Sequence, residues 1–298
     1  VSRLARQDVV VALSGDGADE LFAGYNRYIW GERLRHGLMW IPALARRGLS
    51  GAVCSMPPSA WDKFFSVVPH SRRPPQPGSK MHKMAHLLAT PDREALYRNL
   101  VSQWHQPSDI VLEGTELPTA MDDNSLSQKI PDYIAWMQLM DMRGYLPDDI
   151  LTKVDRASMA ISLEARVPLL DSDVVDFAMS LPLNMKIRAG RSKWLLRQVL
   201  HRYVPKRLVD RPKMGFGVPI GDWLRTELRD WAEDLLDEKR MKDDGIFNPA
   251  PIRQMWSEHL AERQNWQYPL WVVLMFQAWR NSTTGAGTVL SCVDGPFD

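Results

Sequence analysis

The chain has 298 residues, 45% of them apolar, enough for the core of one large domain or two modest ones and too apolar for a disordered chain. Its 37 lysines and arginines offset 36 acids, so no net field draws it to nucleic acid or anionic lipid, and no window reaches the ~20 apolar residues of a membrane span. The two cysteines, Cys54 and Cys292, stand far apart without a His/Cys cluster, which excludes a disulfide framework or zinc site and fits the cytoplasm.

In chain order, the opening Val1-Ser2-Arg3-Leu4 has neither a starting Met nor a signal pattern, so the chain is expected to begin mid-protein. Residues 9–13 form a β-branched apolar run closed by Ser14-Gly15, which predicts a parallel strand buried on both faces. A helix is expected over residues 21–30, and helices dominate thereafter. Residues 69–80 and 106–124 are rich in turn formers and read as surface loops. Asp171 is placed to cap a helix carrying Val174, Val175, Phe177, Ala178 and Leu181, with Pro182 as its stop. Ser192 is placed to cap another over residues 191–203, whose stripe is Leu195, Leu196, Val199, Leu200 and Tyr203. The same period recurs at Trp223, Leu224, Leu228, Trp231 and Leu235, and again over residues 268–279. Most of the 12 tryptophans lie on such stripes and are assigned to core packing. A domain over 1–280 is followed by a tail, 281–298, of linker composition and expected to be disordered.

Three stretches carry polar residues too densely for packing alone. In the first, Ser14-Gly15-Asp16-Gly17-Ala18-Asp19-Glu20, a strand runs through a glycine turn into a helix, aiming N–H groups and a helix end at one point. Its acids would repel a phosphate unless magnesium intervened. A polar turn in which Asp16 or Asp19 caps the helix remains an equal reading. In the second, residues 145–171, Lys153, Asp155, Arg156, Glu164 and Arg166 alternate with apolar residues, so they are expected to be partly buried and paired. They either face a polar substrate or form structural pairs, Glu164 with Arg166 and Asp155 with Arg156. In the third, Lys213 sits beside glycines in a loop that either closes an ammonium onto a phosphate or is a plain connector. His82 and His86 share an i, i+4 spacing without an acid, and no Gly-x-Ser-x-Gly elbow occurs.

Together, Ser14-Gly15-Asp16-Gly17-Ala18-Asp19-Glu20-Leu21-Phe22-Ala23-Gly24-Tyr25, the run from Leu146 to Ala160, and Arg211-Pro212-Lys213-Met214-Gly215-Phe216-Gly217-Val218-Pro219-Ile220 resemble the synthetase domain of the glutamine-hydrolysing asparagine synthetase family. The likeness runs from about Val9 to Trp279. It implies an α/β parent domain, adenine nucleotide alpha hydrolase-like with a parallel sheet, of which this piece is mostly α-helical with the last one or two strands. It further implies ATP and Mg2+, with the side-chain carboxylate of aspartate activated as β-aspartyl-AMP and amidated by ammonia from glutamine.

By that resemblance Ser14, Gly15 and Gly17 touch the nucleotide, Asp19 holds magnesium, Asp16 takes a proton from ammonia, and Lys213 neutralises charge on phosphorus. Ala18 and Ala23 stand where many relatives have Gly, which is harmless where the backbone has ordinary negative φ. The family's Ser-Gly-Gly-x-Asp-Ser phosphate loop and the Cys of its glutaminase domain are not in the sequence, so the chain is expected to be an inactive fragment by itself. Amidation of a sugar acid, ring closure, a truncated assembly piece and a homodimer all stay open.

Overall fold

The computed structural model describes residues 1–67, 77–104, 106–210 and 217–284. These are mostly helical, with one small parallel sheet of β1 (Val11–Leu13) and β2 (Glu164–Arg166). They group into two compact units, one of Val1–Gly48, Leu87–Val101 and Leu117–Met214, the other of Leu49–His86, Ser102–Glu116 and Gly215–Asp298. No helix of the described residues is long and apolar enough to cross a membrane.

In the first unit β1 forms where the sequence places it, but it is not buried on both faces: Leu13 is 74% exposed. The strand is three residues long and pairs with one neighbour among the described residues, so its apolar side chains are only partly covered. The helix expected over residues 21–30 is two helices, Ala18–Leu21 and Asn26–Met39. The break falls at Ala23, whose φ is +53°, a left-handed conformation that costs an alanine about 1–2 kcal/mol. Ala18 lies in the helical turn, so of the two alanines standing for glycine only Ala23 carries strain. It is held because its methyl is fully buried beside Tyr28 and Tyr133.

Behind this turn the helices Asn26–Met39, Arg93–Val101 and Tyr133–Arg143 supply an aromatic core. Tyr97 meets Trp136 edge-on at 5.6 Å and Tyr133 stacks on it at 5.9 Å. Trp136 and Trp256 are core residues as expected, whereas Trp30, Trp40 and Trp279 are exposed. Asp171 caps Ser172–Ser180 by accepting from the Asp173 N–H at 3.0 Å, and the helix stops before Pro182. Ser192 does not cap its helix, which begins later, at Trp194. The chain enters it through a tight turn closed by an Arg188–Arg191 bridge, with positive φ at Ala189 and Gly190, and then through Lys193 at φ +53°. Two successive left-handed residues match the twist of a hairpin.

The second unit packs Leu224, Leu235, Ile252, Trp256, Leu270 and Leu274 together. The stripe read at 223–235 is carried by two helices, Ile220–Arg225 and Arg229–Leu235, separated at Thr226–Leu228. The final helix, Gln267–Thr284, covers the expected 268–279 and runs four residues into the segment read as tail; 285–298 lie outside the described residues. Of the two loops, 106–124 is irregular apart from the short turns Pro107–Asp109 and Ala120–Asp122, a bridge from Val111 to Phe247, and Asn124, which opens the helix Asn124–Lys129. Residues 77–80 of the other open the helix Pro77–Leu88, and 68–76 lie outside the described residues.

His259 ties this second core together. Its Nδ1 accepts from the Trp266 N–H at 3.2 Å, so Nε2 carries the proton and donates to the Gly221 carbonyl at 3.2 Å. Burial, with Arg225 beside it, pushes the imidazole below its ordinary 6.5. A group whose folded pKa is depressed contributes stability above the unfolded value and loses it as pH falls toward the folded one. The thermal midpoint is therefore expected to drop as pH is taken from 7 to 5, and His259→Gln to make that drop shallower. Parallel slopes in parent and variant would show that another group carries it.

Candidate nucleotide site

The site is assembled by the parallel register of β1 on β2, which sets Val11 against Glu164, Ala12 against Ala165 and Leu13 against Arg166. The ladder continues one step further, the Ser14 N–H donating to the Arg166 carbonyl at 2.8 Å. Two of the three dense stretches thus meet at the carboxyl end of β1, where open parallel sheets bind ligands. The turn then reverses through Gly17 at φ +79°, where a side chain would also press on Leu170. Gly15 faces open space, which leaves its backbone accessible. The helix after the turn is only Ala18–Leu21, capped by Gly17 without a side-chain bond. Neither Asp16 nor Asp19 is a cap, and a single turn supplies little of the helix dipole that the sequence suggested.

The three acids separate into different environments. The Ser14 hydroxyl donates to Asp16 Oδ2 at 2.5 Å and holds that carboxylate beside the turn. Glu20 points inward, buried, accepting from the Tyr25 hydroxyl at 2.7 Å; desolvation raises its pKa against the opposing effect of that bond. Asp19 meets Lys193, whose Nζ lies 2.8 Å from Oδ2 with each side chain about a quarter exposed (26% and 28%). Gly24 makes room for this pair: a Cβ there would overlap both Asp19 Oδ1 and Lys193 Cε. Lys193 is in turn fixed by its own N–H, which donates to the Phe22 carbonyl at 3.2 Å.

Lys153, Asp155, Arg156, Glu164 and Arg166 are not partly buried. Their side chains are exposed, and the pairs they form are local: Lys153 with Asp149 at 2.6 Å one turn away, Glu164 with Arg166 at 2.7 Å along one strand, Asp155 with Arg156 at 3.9 Å. The two pairings foreseen are present, but neither ties helices together, and exposed pairs of this kind stabilise little. Lys153, Asp155 and Arg156 lie on the helix Thr152–Met159, which follows a π-helical stretch, Leu146–Leu151, while Glu164 and Arg166 are on β2. Lys213 lies outside the described residues.

Sequence reasoning missed Lys193 and the buried network behind the turn. There Asp141 accepts from Tyr28 at 2.5 Å and from Tyr97, and pairs with Arg27 at 2.8 Å. The Arg27 guanidinium lies over the Tyr25 ring, 3.8 Å from its centroid, and over that of Tyr145 at 4.9 Å. A lysine just after Ala189-Gly190, ahead of an apolar stripe, was the available signal for Lys193.

At this strand-end turn three carboxylates are sorted into different environments beside β2, and comparison with known proteins gives the family. The asparagine synthase family model matches residues 1–281, and the chain belongs to that family. It is 31% identical over 288 residues to asparagine synthetase [glutamine-hydrolyzing] 1 of Bacillus subtilis, covering 94% of this chain and 42% of that protein. It is 33% identical over 287 residues to the putative asparagine synthetase [glutamine-hydrolyzing] of Mycobacterium tuberculosis, covering 94% and 40%. The likeness to the Bos taurus asparagine synthetase is 29% over 159 residues. The chain therefore spans about two fifths of the length of the curated relatives that match most of it. No solved structure gives a significant match.

Proposed function

We propose that this chain supplies one wall of the nucleotide site of a cytoplasmic, ATP-dependent ligase that amidates aspartate, within an adenine nucleotide alpha hydrolase-like parent fold. The observation that carries the reading is the parallel register bringing the Ser14–Asp19 turn beside β2, in a chain of the asparagine synthase family. In this proposal ATP gives β-aspartyl-AMP and pyrophosphate; ammonia, released from glutamine by a further domain, then displaces AMP. Asp16, held by Ser14, accepts the proton that the attacking nitrogen sheds. The accessible Gly15 backbone and the left-handed Gly17 border the nucleotide, and Lys213 would meet charge on phosphorus.

Magnesium takes one or two protein carboxylates and completes its shell with phosphate oxygens and water. Among the described residues no three acids, histidines or cysteines gather as a metal cage, so an ion held by Asp19 alone and otherwise by the nucleotide is the arrangement that fits. When bound it would neutralise the polyphosphate.

The test is carboxylate-dependent ATP–pyrophosphate exchange. The 298-residue chain alone is expected to show none, and a protein carrying it behind a Ser-Gly-Gly-x-Asp-Ser loop is expected to show exchange with aspartate. Exchange with a sugar acid but not aspartate would replace the substrate assignment. Robust exchange by the chain alone would remove the need for the loop.

A further inference from the structure

Lys193 is built into the site with more care than an ordinary surface ion pair receives. Lys153 and Lys242 reach Asp149 and Glu238 simply by standing one helical turn away. Lys193 instead takes a left-handed backbone that non-glycine residues avoid, ties its N–H to Phe22, and passes its stem over a glycine with no room for a Cβ. All three devices set one ammonium on one carboxylate, that of Asp19.

Resting on the reading of Asp19 as a metal ligand, we propose that Lys193 is the resident counter-cation of the site, which a divalent metal must displace from Asp19. An ammonium 2.8 Å from Oδ2 occupies the contact position that a metal ion would take, and two cations cannot share it without strong repulsion. With both side chains about a quarter exposed, the exchange needs no unfolding. The pair thus disfavours metal arriving alone, and the displaced ammonium is left facing whatever polyanion brings the metal. Lys193 is a positioning residue: it acts through Asp19.

The probe is Mn2+ alone, its binding to the intact chain followed by electron paramagnetic resonance. Lys193→Met is expected to tighten Mn2+ binding about fivefold, the ratio set by the coupling of a partly exposed pair. Lys193→Arg keeps a cation on Asp19 and is expected to bind as the parent does. Lys193→Gln serves in place of the methionine variant if the latter does not fold, judged by circular dichroism. A parent with no measurable site and a Lys193→Met variant with one supports the proposal; Mn2+ affinity unchanged, weakened or absent in the charge-free variants overturns it. The Asp19→Asn change separates the two layers. If it abolishes binding while Lys193→Met changes nothing, displacement alone fails; if the tightening survives in the Asp19→Asn, Lys193→Met double variant, the ion lies elsewhere and the Asp19 reading fails with it.

Discussion

Asp141→Ala is expected to lower the stability of the first unit by about 3–5 kcal/mol, the loss typical of removing one partner from a buried charge pair. Only 2% of the Asp141 surface is exposed, and its carboxylate is the shared acceptor for Tyr28, Tyr97 and Arg27. Those donors come from the helices Asn26–Met39 and Arg93–Val101, while Asp141 belongs to Tyr133–Arg143, so one side chain joins three elements. Alanine leaves a guanidinium and two hydroxyls without their acceptor in the interior. In the parent, burial first and the Asp141 carboxylate second push both tyrosines well above their ordinary values, and the burial remains when the carboxylate is removed. Tyr28→Phe or Tyr97→Phe removes one donor and leaves the others served, at about 0.5–1.5 kcal/mol each. Urea titration of the three variants gives the ordering directly. A loss from Asp141→Ala no larger than from either phenylalanine variant would show that water replaces the carboxylate.

This network also explains what the sequence could and could not reveal. The Asp171 cap, the Pro182 stop, the strand leading into Ser14-Gly15 and the final amphipathic helix are local signals, and the structure bears them out, except that the strand is shorter than read and not buried on both faces. The break at Ala23, the left-handed Lys193 and the Asp19–Lys193 pair are set by tertiary contacts between residues remote in sequence, and no local period encodes them. Charge alternation misled for a related reason. Around Lys153 it was read as burial, but those residues are exposed, whereas the buried Asp141 and Lys186 each stand between two apolar residues. The family motif located the turn at Ser14–Glu20; it did not foresee that its acids would be divided among a serine, a tyrosine and a lysine.

Gly24→Ala is expected to cost about 1–3 kcal/mol through overpacking and to separate Asp19 from Lys193. The reason differs from that at Gly17, where a positive φ penalises any side chain. Gly24 has no such backbone, but its added methyl would overlap the Asp19 carboxylate and the Lys193 stem, both anchored by backbone bonds. The Asp19 carbonyl is bound to the Gly24 N–H at 2.7 Å, so the turn cannot open to accommodate the methyl without losing that bond. Shortening Lys193 to alanine removes Cε and with it one of the two overlaps. A double-mutant cycle should therefore show Gly24→Ala to be cheaper in the Lys193→Ala background than in the parent, by about 1 kcal/mol, since residues in direct contact are not additive. Equal costs in the two backgrounds would mean that the lysine stem does not pass over Gly24, and the close approach that holds Lys193 on Asp19 would lose its support. A smaller cost with the lysine shortened would instead identify Gly24 as the position whose missing side chain lets this turn keep a cation on its outward-facing acid.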